Sequence, residues 1–140
     1  RGTDDDNFHR KLSKLPNYER LHGIGEVDDI RPYIKACDIY VQPSISEGLA
    51  KTVIEAMAYS KPIIVTRCGG PEEIIHDEIS GKVVPIKNAE AIANAIIDFI
   101  NDMERAKLLG QSAKSYLLKY LTLDLTVDKT LKVYEGLLID

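Results

Sequence analysis

A parallel α/β sheet flanked by helices is the fold predicted by three features of this 140-residue sequence. Short apolar runs rich in β-branched residues alternate with longer stretches whose apolar residues recur at helical spacing. The clearest instance is a strand–loop–helix–strand unit, from Asp38-Ile39-Tyr40-Val41-Gln42 to Pro62-Ile63-Ile64-Val65-Thr66. Strands alternating with helices in this way pair in parallel through helical crossovers. Finally, 44% hydrophobic and 29% charged residues are the proportions of a soluble globular chain, and the length suits one domain with a real core.

In chain order, residues 1–7 are polar and turn-like, and Asp6 or Asn7 caps a short helix from Phe8 to Leu15 that Pro16 stops. Tyr18 to Ile24 reads as a strand, interrupted by Glu19 and Arg20. A glycine turn over Gly23–Val27 follows, and Asp28 or Asp29 caps a helix from Ile30 to Ala36 with Pro32 in its first turn. Pro43 and Ser44 end the strand Asp38–Gln42. The next helix, Leu49 to Tyr59, carries Leu49, Val53, Ala56, Met57 and Ala58 as its apolar set. After the strand Pro62–Thr66, Cys68-Gly69-Gly70 forms a flexible loop and Pro71 opens a helix to His76, with Glu72 and Glu73 at its positive end.

Asp77 to Gly81 is a turn, and Lys82 to Ile86 a short strand. Asn88 or Ala89 starts a helix with Ile92, Ala93, Ile96, Ile97 and Ile100 on one face. Met103 to Leu118 is a second amphipathic helix, weakened in propensity by Gly110. A last helix, Leu125 to Leu138, sets Val127, Leu131, Tyr134 and Leu138 on one side.

Composition excludes several classes of function. A net charge of −4 and a pI near 5.4 argue against a nucleic-acid surface. No apolar run reaches membrane-spanning length and no signal peptide is visible, which favours a cytoplasmic protein. Cys37 and Cys68 each adjoin an apolar run without CxxC spacing and read as reduced residues in or near the core. His9, His22 and His76 are far apart, so neither a metal site nor a metal cofactor is expected.

The chemistry concentrates between the two central strands. A helix that opens beside the flexible Gly48 aims unpaired backbone N–H groups and the positive end of its dipole at one point, a seat for an anion such as a phosphate. Glu47 and Glu55 flank that point. In a helix begun at Glu47 they would lie about 12 Å apart and be rotated by about 80°. That is too far for a close acid/base pair, but it suits hydroxyls at two places on an elongated ligand. A nucleotide sugar, with a diphosphate between two hydroxyl-rich rings, has that shape.

These residues resemble a family. Pro43-Ser44, then Glu47-Gly48, Glu55-Ala56-Met57-Ala58 and a strand, with Gly69-Gly70-Pro71-Glu72-Glu73 downstream, are similar to the E-x7-E pattern of the retaining GT-B glycosyltransferases known as glycosyl transferases group 1, or GT4. The likeness runs from about Leu21 to Tyr134. It implies a Rossmann-like sheet forming the C-terminal half of a GT-B fold, with residues 1–140 a donor-binding domain whose first part is missing. A strand ending in a glycine turn precedes the first helix in the family, and Arg1-Gly2-Thr3 reads as its remnant.

By the same resemblance, the substrate is a UDP- or GDP-linked sugar and no other cofactor is needed. Glu47 is the catalytic-site carboxylate, holding donor-sugar hydroxyls, and Glu55 holds the ribose. Gly48, Leu49, Ala50, Lys51 and Thr52 form the phosphate loop, with the amides of Lys51 and Thr52 meeting the phosphate. Gly69 and Gly70 let sugar or acceptor approach closely. Gly25, Glu26 and Val27 either border the nucleobase or form only a strand-to-helix turn. Lys51 either adds a cation at the phosphate or points to solvent, and Glu73 either contacts ligand or simply occupies a helix first turn.

The sequence departs from the family where Ala50 replaces a glycine and where Gly23 replaces a bulky residue. The family's diphosphate-neutralising Arg and Lys, and the N-terminal domain that binds a saccharide or lipid-linked acceptor, are not in these residues. The expectation is therefore a parent hexosyltransferase of polysaccharide or glycoconjugate synthesis, with this segment alone inactive. Peripheral membrane association of the parent is left open. Two other readings stand beside it: a non-catalytic docking module of a glycan-synthesis complex, and a GT-B-like nucleotide-sugar epimerase.

Overall fold

The structure, a computed structural model, describes residues 10–137. The expected caps Asp6 and Asn7, the Arg1-Gly2-Thr3 turn, and Phe8 and Leu138 lie outside the described residues. The chain divides into two compact units, Arg1–Ile30 and Arg31–Asp140.

In the first unit, residues 10–12 are helical and the chain turns before Pro16. The strand expected at Tyr18–Ile24 is not formed. Asn17 takes a left-handed conformation (φ 59°) and opens a single 3-10 turn, Tyr18–Arg20. The amides of Arg20 and Leu21 are spent on Asn17 O and Tyr18 O (both 2.9 Å), so this backbone bonds locally instead of to a neighbouring strand. Glu19 and Arg20, which broke the apolar pattern, lie in that turn.

The second unit is built on a three-stranded parallel sheet, β1 (Tyr40–Gln42), β2 (Ile63–Thr66) and β3 (Lys82–Val84), in the order β1-β2-β3. Tyr40, Val41 and Gln42 stand beside Ile63, Ile64 and Val65; Ile64, Val65 and Thr66 stand beside Lys82, Val83 and Val84. All four residues of β2 are buried. A central parallel strand is covered on both faces, which is why Ile63-Ile64-Val65 reads as a continuous apolar run.

Among the described residues the second unit has six helices: α1 (Arg31–Ala36), α2 (Lys51–Ala58), α3 (Gly70–Ile74), α4 (Ala89–Asn101), α5 (Met103–Tyr120) and α6 (Leu123–Leu137). One core joins Ile64 and Val84 of the sheet to Ala95 and Phe99 of α4 and to Ala106 and Leu109 of α5. Asn88 caps α4 by accepting from the Ala91 amide (2.9 Å), and Asp102 caps α5 by accepting from the Arg105 amide (3.0 Å). Cys37 and Cys68 are both free, and the Cys37 thiol donates to Ile34 O (3.2 Å).

Two expected helix faces are corrected. In α4 the inward residues are Ile92, Ala95, Ile96 and Phe99, whereas Ala93, Ile97 and Ile100 are exposed. Leu49 lies outside α2 and is 65% exposed, and Ala58 is also exposed; Ala50, Val53, Ala56 and Met57 make the buried set. On α6 the residues Val127, Leu131 and Tyr134 are all exposed. Gly110 has a packing role rather than a mere propensity defect. A Cβ there would meet the backbone of Ser60 and lie 2.7 Å from the Lys61 carbonyl, so glycine is what lets α5 cross that close to the chain after α2. No helix among the described residues is long and apolar enough to cross a membrane.

Candidate functional site

Because the strands are parallel, their carboxyl ends share one edge of the sheet, where open α/β folds place ligands. Two loops leave β1 and β2 there, residues 43–50 and 67–69, and they are bonded to each other. The Glu47 amide donates to Cys68 O (3.2 Å) and the Gly70 amide to Glu47 O (3.0 Å). Thr66, buried at the end of β2, donates through its hydroxyl to Gln42 O (3.3 Å) and to Ser44 O, which fixes the exit from β1.

Gly69 and Gly70 are required by this contact. Gly69 has φ 112°, open to glycine alone, and a Cβ on it would lie 2.9 Å from Glu47 O. A Cβ on Gly70 would run into the Gly48 carbonyl. The close approach at this pair is that of the Glu47–Gly48 backbone.

Glu47 is held in the first of these loops, four residues before α2 begins, so the spacing calculated for a helix begun at Glu47 does not apply. Its Oε2 accepts from Ser44 Oγ (3.2 Å) and Gln42 Nε2 (3.3 Å). Glu55, inside α2, has the opposite circumstance: its Oε2 is buried without a hydrogen-bond partner among the described residues. Between the two carboxylates stands Tyr40, whose phenol is pushed up chiefly by burial and further by the charges of Glu55 and Glu47, against a hydrogen bond to Thr52.

At the start of α2, Ala50 is buried and occupies the cap position with no side-chain cap bond. The Lys51 amide is turned back on Leu49 O (3.0 Å), so of the two amides expected to meet a phosphate only that of Thr52 is uncommitted to a backbone acceptor among the described residues. The amides of Gly48, Leu49 and Ala50 are likewise uncommitted there. The Lys51 side chain is exposed, and the Thr52 hydroxyl is engaged with Tyr40 (2.8 Å).

Glu73 is exposed, while its neighbour Glu72 has a buried Oε2 without a partner among the described residues. Gly25, Glu26 and Val27 belong to the first unit. There Gly25 has φ 64°, the dihedral that a glycine turn demands, Glu26 is exposed and Val27 is half-buried. Tyr40, Gln42 and Thr66 escaped the sequence reading. Their signal was the polar residue at every second place of an apolar strand, Tyr40 and Gln42 on one face, with Thr66 closing the next strand. A separate cavity of about 260 Å³, lined by Cys37, Asp38, Lys61, Lys107 and Gln111 among others, opens at the amino ends of β1 and β2, opposite the loop edge of the sheet.

Comparison with known proteins bears on the family and the fold. The profile described as Glycosyl transferases group 1 matches residues 1–116. An uncharacterized glycosyltransferase of Methanocaldococcus jannaschii is 35% identical over 84% of this chain and 33% of its own length. The lipopolysaccharide core biosynthesis glycosyltransferase LpsE of Rhizobium meliloti is 34% identical over 72% of the chain and 30% of its own length. In three dimensions, the Anabaena protein Alr3699/HepE, solved in complex with UDP-glucose, superimposes with a TM-score of 0.82 at 22% identity, covering 92% of this chain and 36% of that one. The shared parallel sheet and helices are those of a GT-B glycosyltransferase domain. The chain thus spans about a third of the length of the proteins it matches.

Proposed function

We propose that this chain, which belongs to the glycosyl transferases group 1 family, is the part of a sugar-transferring enzyme that holds the nucleotide-sugar donor. The observation that carries the reading is Glu55. A buried carboxylate oxygen with no partner is unfavourable unless a ligand supplies the missing donor, and a ribose hydroxyl is such a donor. The presence of UDP-glucose in the HepE complex supports a uridine nucleotide as the first ligand to try.

In this reading each group has one task. The uncommitted amides of Gly48, Leu49, Ala50 and Thr52, with the amino end of α2, receive the diphosphate and stabilise the negative charge that grows on it as the sugar departs. Glu47 accepts from hydroxyls of the donor sugar and orients the anomeric carbon. Glu55 fixes the ribose. Gly69 and Gly70 hold the Glu47 loop in place. Acceptor binding, by a saccharide or lipid-linked glycan, and the remaining diphosphate cations are assigned to parts of the parent enzyme beyond these residues. Retention of configuration at the transferred carbon and a cytoplasmic setting are the family's expectation, and they belong to the proposal. The segment alone binds donor and does not transfer it.

Calorimetric titration with UDP, GDP, UDP-glucose and GDP-mannose tests this. Binding of one base series, lost in Glu55→Ala, is the expected result. No binding of any of them at millimolar concentration, either to this chain or to the parent enzyme, would refute the reading.

A further inference from the structure

The polar side chains at the end of β1 form one directed hydrogen-bond relay. The Tyr40 hydroxyl donates to Thr52 Oγ1 (2.8 Å), and Thr52 Oγ1 donates to Gln42 Oε1 (3.4 Å). Gln42 Nε2 donates to Ser44 Oγ (3.0 Å) and to Glu47 Oε2 (3.3 Å), while Ser44 Oγ donates to the same carboxylate oxygen (3.2 Å). The Tyr40 hydroxyl also lies within hydrogen-bonding reach of Gln42 Oε1. The Tyr40 proton has two acceptors in reach, Thr52 Oγ1 and Gln42 Oε1, and by either route the relay continues through Gln42 Nε2 to the Glu47 carboxylate.

Gln42 is the only member that both receives from the α2 side and gives to the Glu47 side. An amide suits that place because it carries an acceptor and two donors on one rigid plane. Glutamate there would offer only acceptors and set a second carboxylate against Glu47. Methionine has a similar length and would offer neither function. The bonds from Gln42 and Ser44 both go to Glu47 Oε2, so one carboxylate oxygen is anchored and Oε1 is left outside the relay.

We propose that Gln42 is a positioning residue for donor-sugar recognition: it holds Glu47 in the orientation that meets the sugar hydroxyls and registers that carboxylate to the diphosphate end of the site through Thr52. This rests on the donor-site reading above. It assigns to Gln42 selectivity for the sugar over the bare nucleotide and no direct contact with either.

The test is titration of UDP and UDP-glucose against the wild-type chain, Gln42→Met, Gln42→Glu and Glu47→Gln, with the unfolding midpoint measured for each. Gln42→Met and Gln42→Glu are each expected to weaken UDP-glucose by about tenfold and to leave UDP within about twofold, as expected for losing one hydrogen bond to a charged group. Gln42→Glu preserves volume and the acceptor for Thr52, so a role in packing alone would leave it like wild type; that result overturns the proposal. So does an equal loss of both ligands in the Gln42 variants. If Glu47→Gln shifts the UDP-glucose to UDP ratio and neither Gln42 variant does, the donor site stands and the positioning role is wrong. If neither the wild-type chain nor the parent enzyme binds either ligand, or Glu47→Gln leaves the ratio unchanged, the donor-site reading itself fails and this inference with it.

Discussion

Replacing Glu55 by methionine should move stability and binding in opposite directions. In the unliganded protein, Glu55 Oε2 is buried without a partner, and an unpaired buried acceptor of this kind is unfavourable by about 1–3 kcal/mol. The residue as a whole is half-buried, so the lower part of that range applies, about 1 kcal/mol of relief on substitution. Methionine is close in length to glutamate and helix-compatible, so α2 loses neither propensity nor packing. For a domain of this size, about 1 kcal/mol corresponds to a rise of roughly 3–5 °C in the unfolding midpoint. Binding should move the other way. A hydrogen bond from a ribose hydroxyl to a charged carboxylate contributes about 1.5–3 kcal/mol, so the Kd for UDP should rise by about 10- to 100-fold. Differential scanning calorimetry without ligand, paired with UDP titration of the same samples, reads both quantities. A Glu55→Met protein that melts earlier than wild type, or binds UDP equally well, would show that the orphaned oxygen is not reserved for a ligand.

Three other outcomes follow from the packing and charges. Gly110→Ala should destabilise by about 1–3 kcal/mol in urea titration despite alanine's better helix propensity, because the new methyl meets backbone and not a movable side chain; a stabilised variant would contradict the close crossing at Ser60 and Lys61. Gly70→Ala should separate the two loops at the sheet edge and abolish UDP-glucose binding at concentrations that saturate wild type, while a variant that still binds would mean that the loops need not touch. Glu78 pairs with Lys82 and Arg105, and its hydrogen bond with Lys82 pulls its carboxyl below the ordinary 4.5 while raising Lys82 above the ordinary 10.5. The Glu78 part is present above pH 4.5 and fades as pH falls through its lowered value; the Lys82 part is present below pH 10.5 and fades as pH rises through its raised value. Both partners are substantially exposed, so Glu78→Gln should lower neutral stability by only about 0.5 kcal/mol, an effect that strong salt should erase.

The parts of the fold legible in sequence were those set by local chemistry. Ile63-Ile64-Val65 announced a strand covered on both faces, Pro71 opened α3, and Asn88 stood at the cap of α4. Orientation was harder wherever apolar residues surrounded a helix. α4 carries isoleucines or alanines on nearly every side, and only the position of the sheet decided that Ala95 and Phe99 go inward while Ile97 and Ile100 do not. Tyr18–Ile24 failed as a strand because its amides had local acceptors, a matter that a hydropathy pattern does not record.

At the site, motif spacing brought out Glu47, Glu55 and the glycine pair, and the structure sets Glu47 against Gly69 and Gly70. The helix expected from Leu49 begins two residues later, at Lys51, with Ala50 in the cap position. Spacing was silent about Tyr40, Gln42 and Thr66, whose bonds tie β1 to α2, to the Glu47 loop and to β2. Of the glutamates after the glycine pair, Glu73 drew notice in sequence, yet Glu72 holds the buried oxygen.

The bonding of residues 47–48 to residues 68–70 bears on how such enzymes can be re-engineered. A designer wishing to change sugar preference would naturally transplant the first loop from a relative. In this protein that graft would carry half of a joint and leave the mating half behind, since the recipient's Gly69-Gly70 backbone fits only the Glu47–Gly48 path it grew up with. The smallest exchangeable cassette is therefore discontinuous: both loops, together with the Thr66 hydroxyl that clasps them to the sheet.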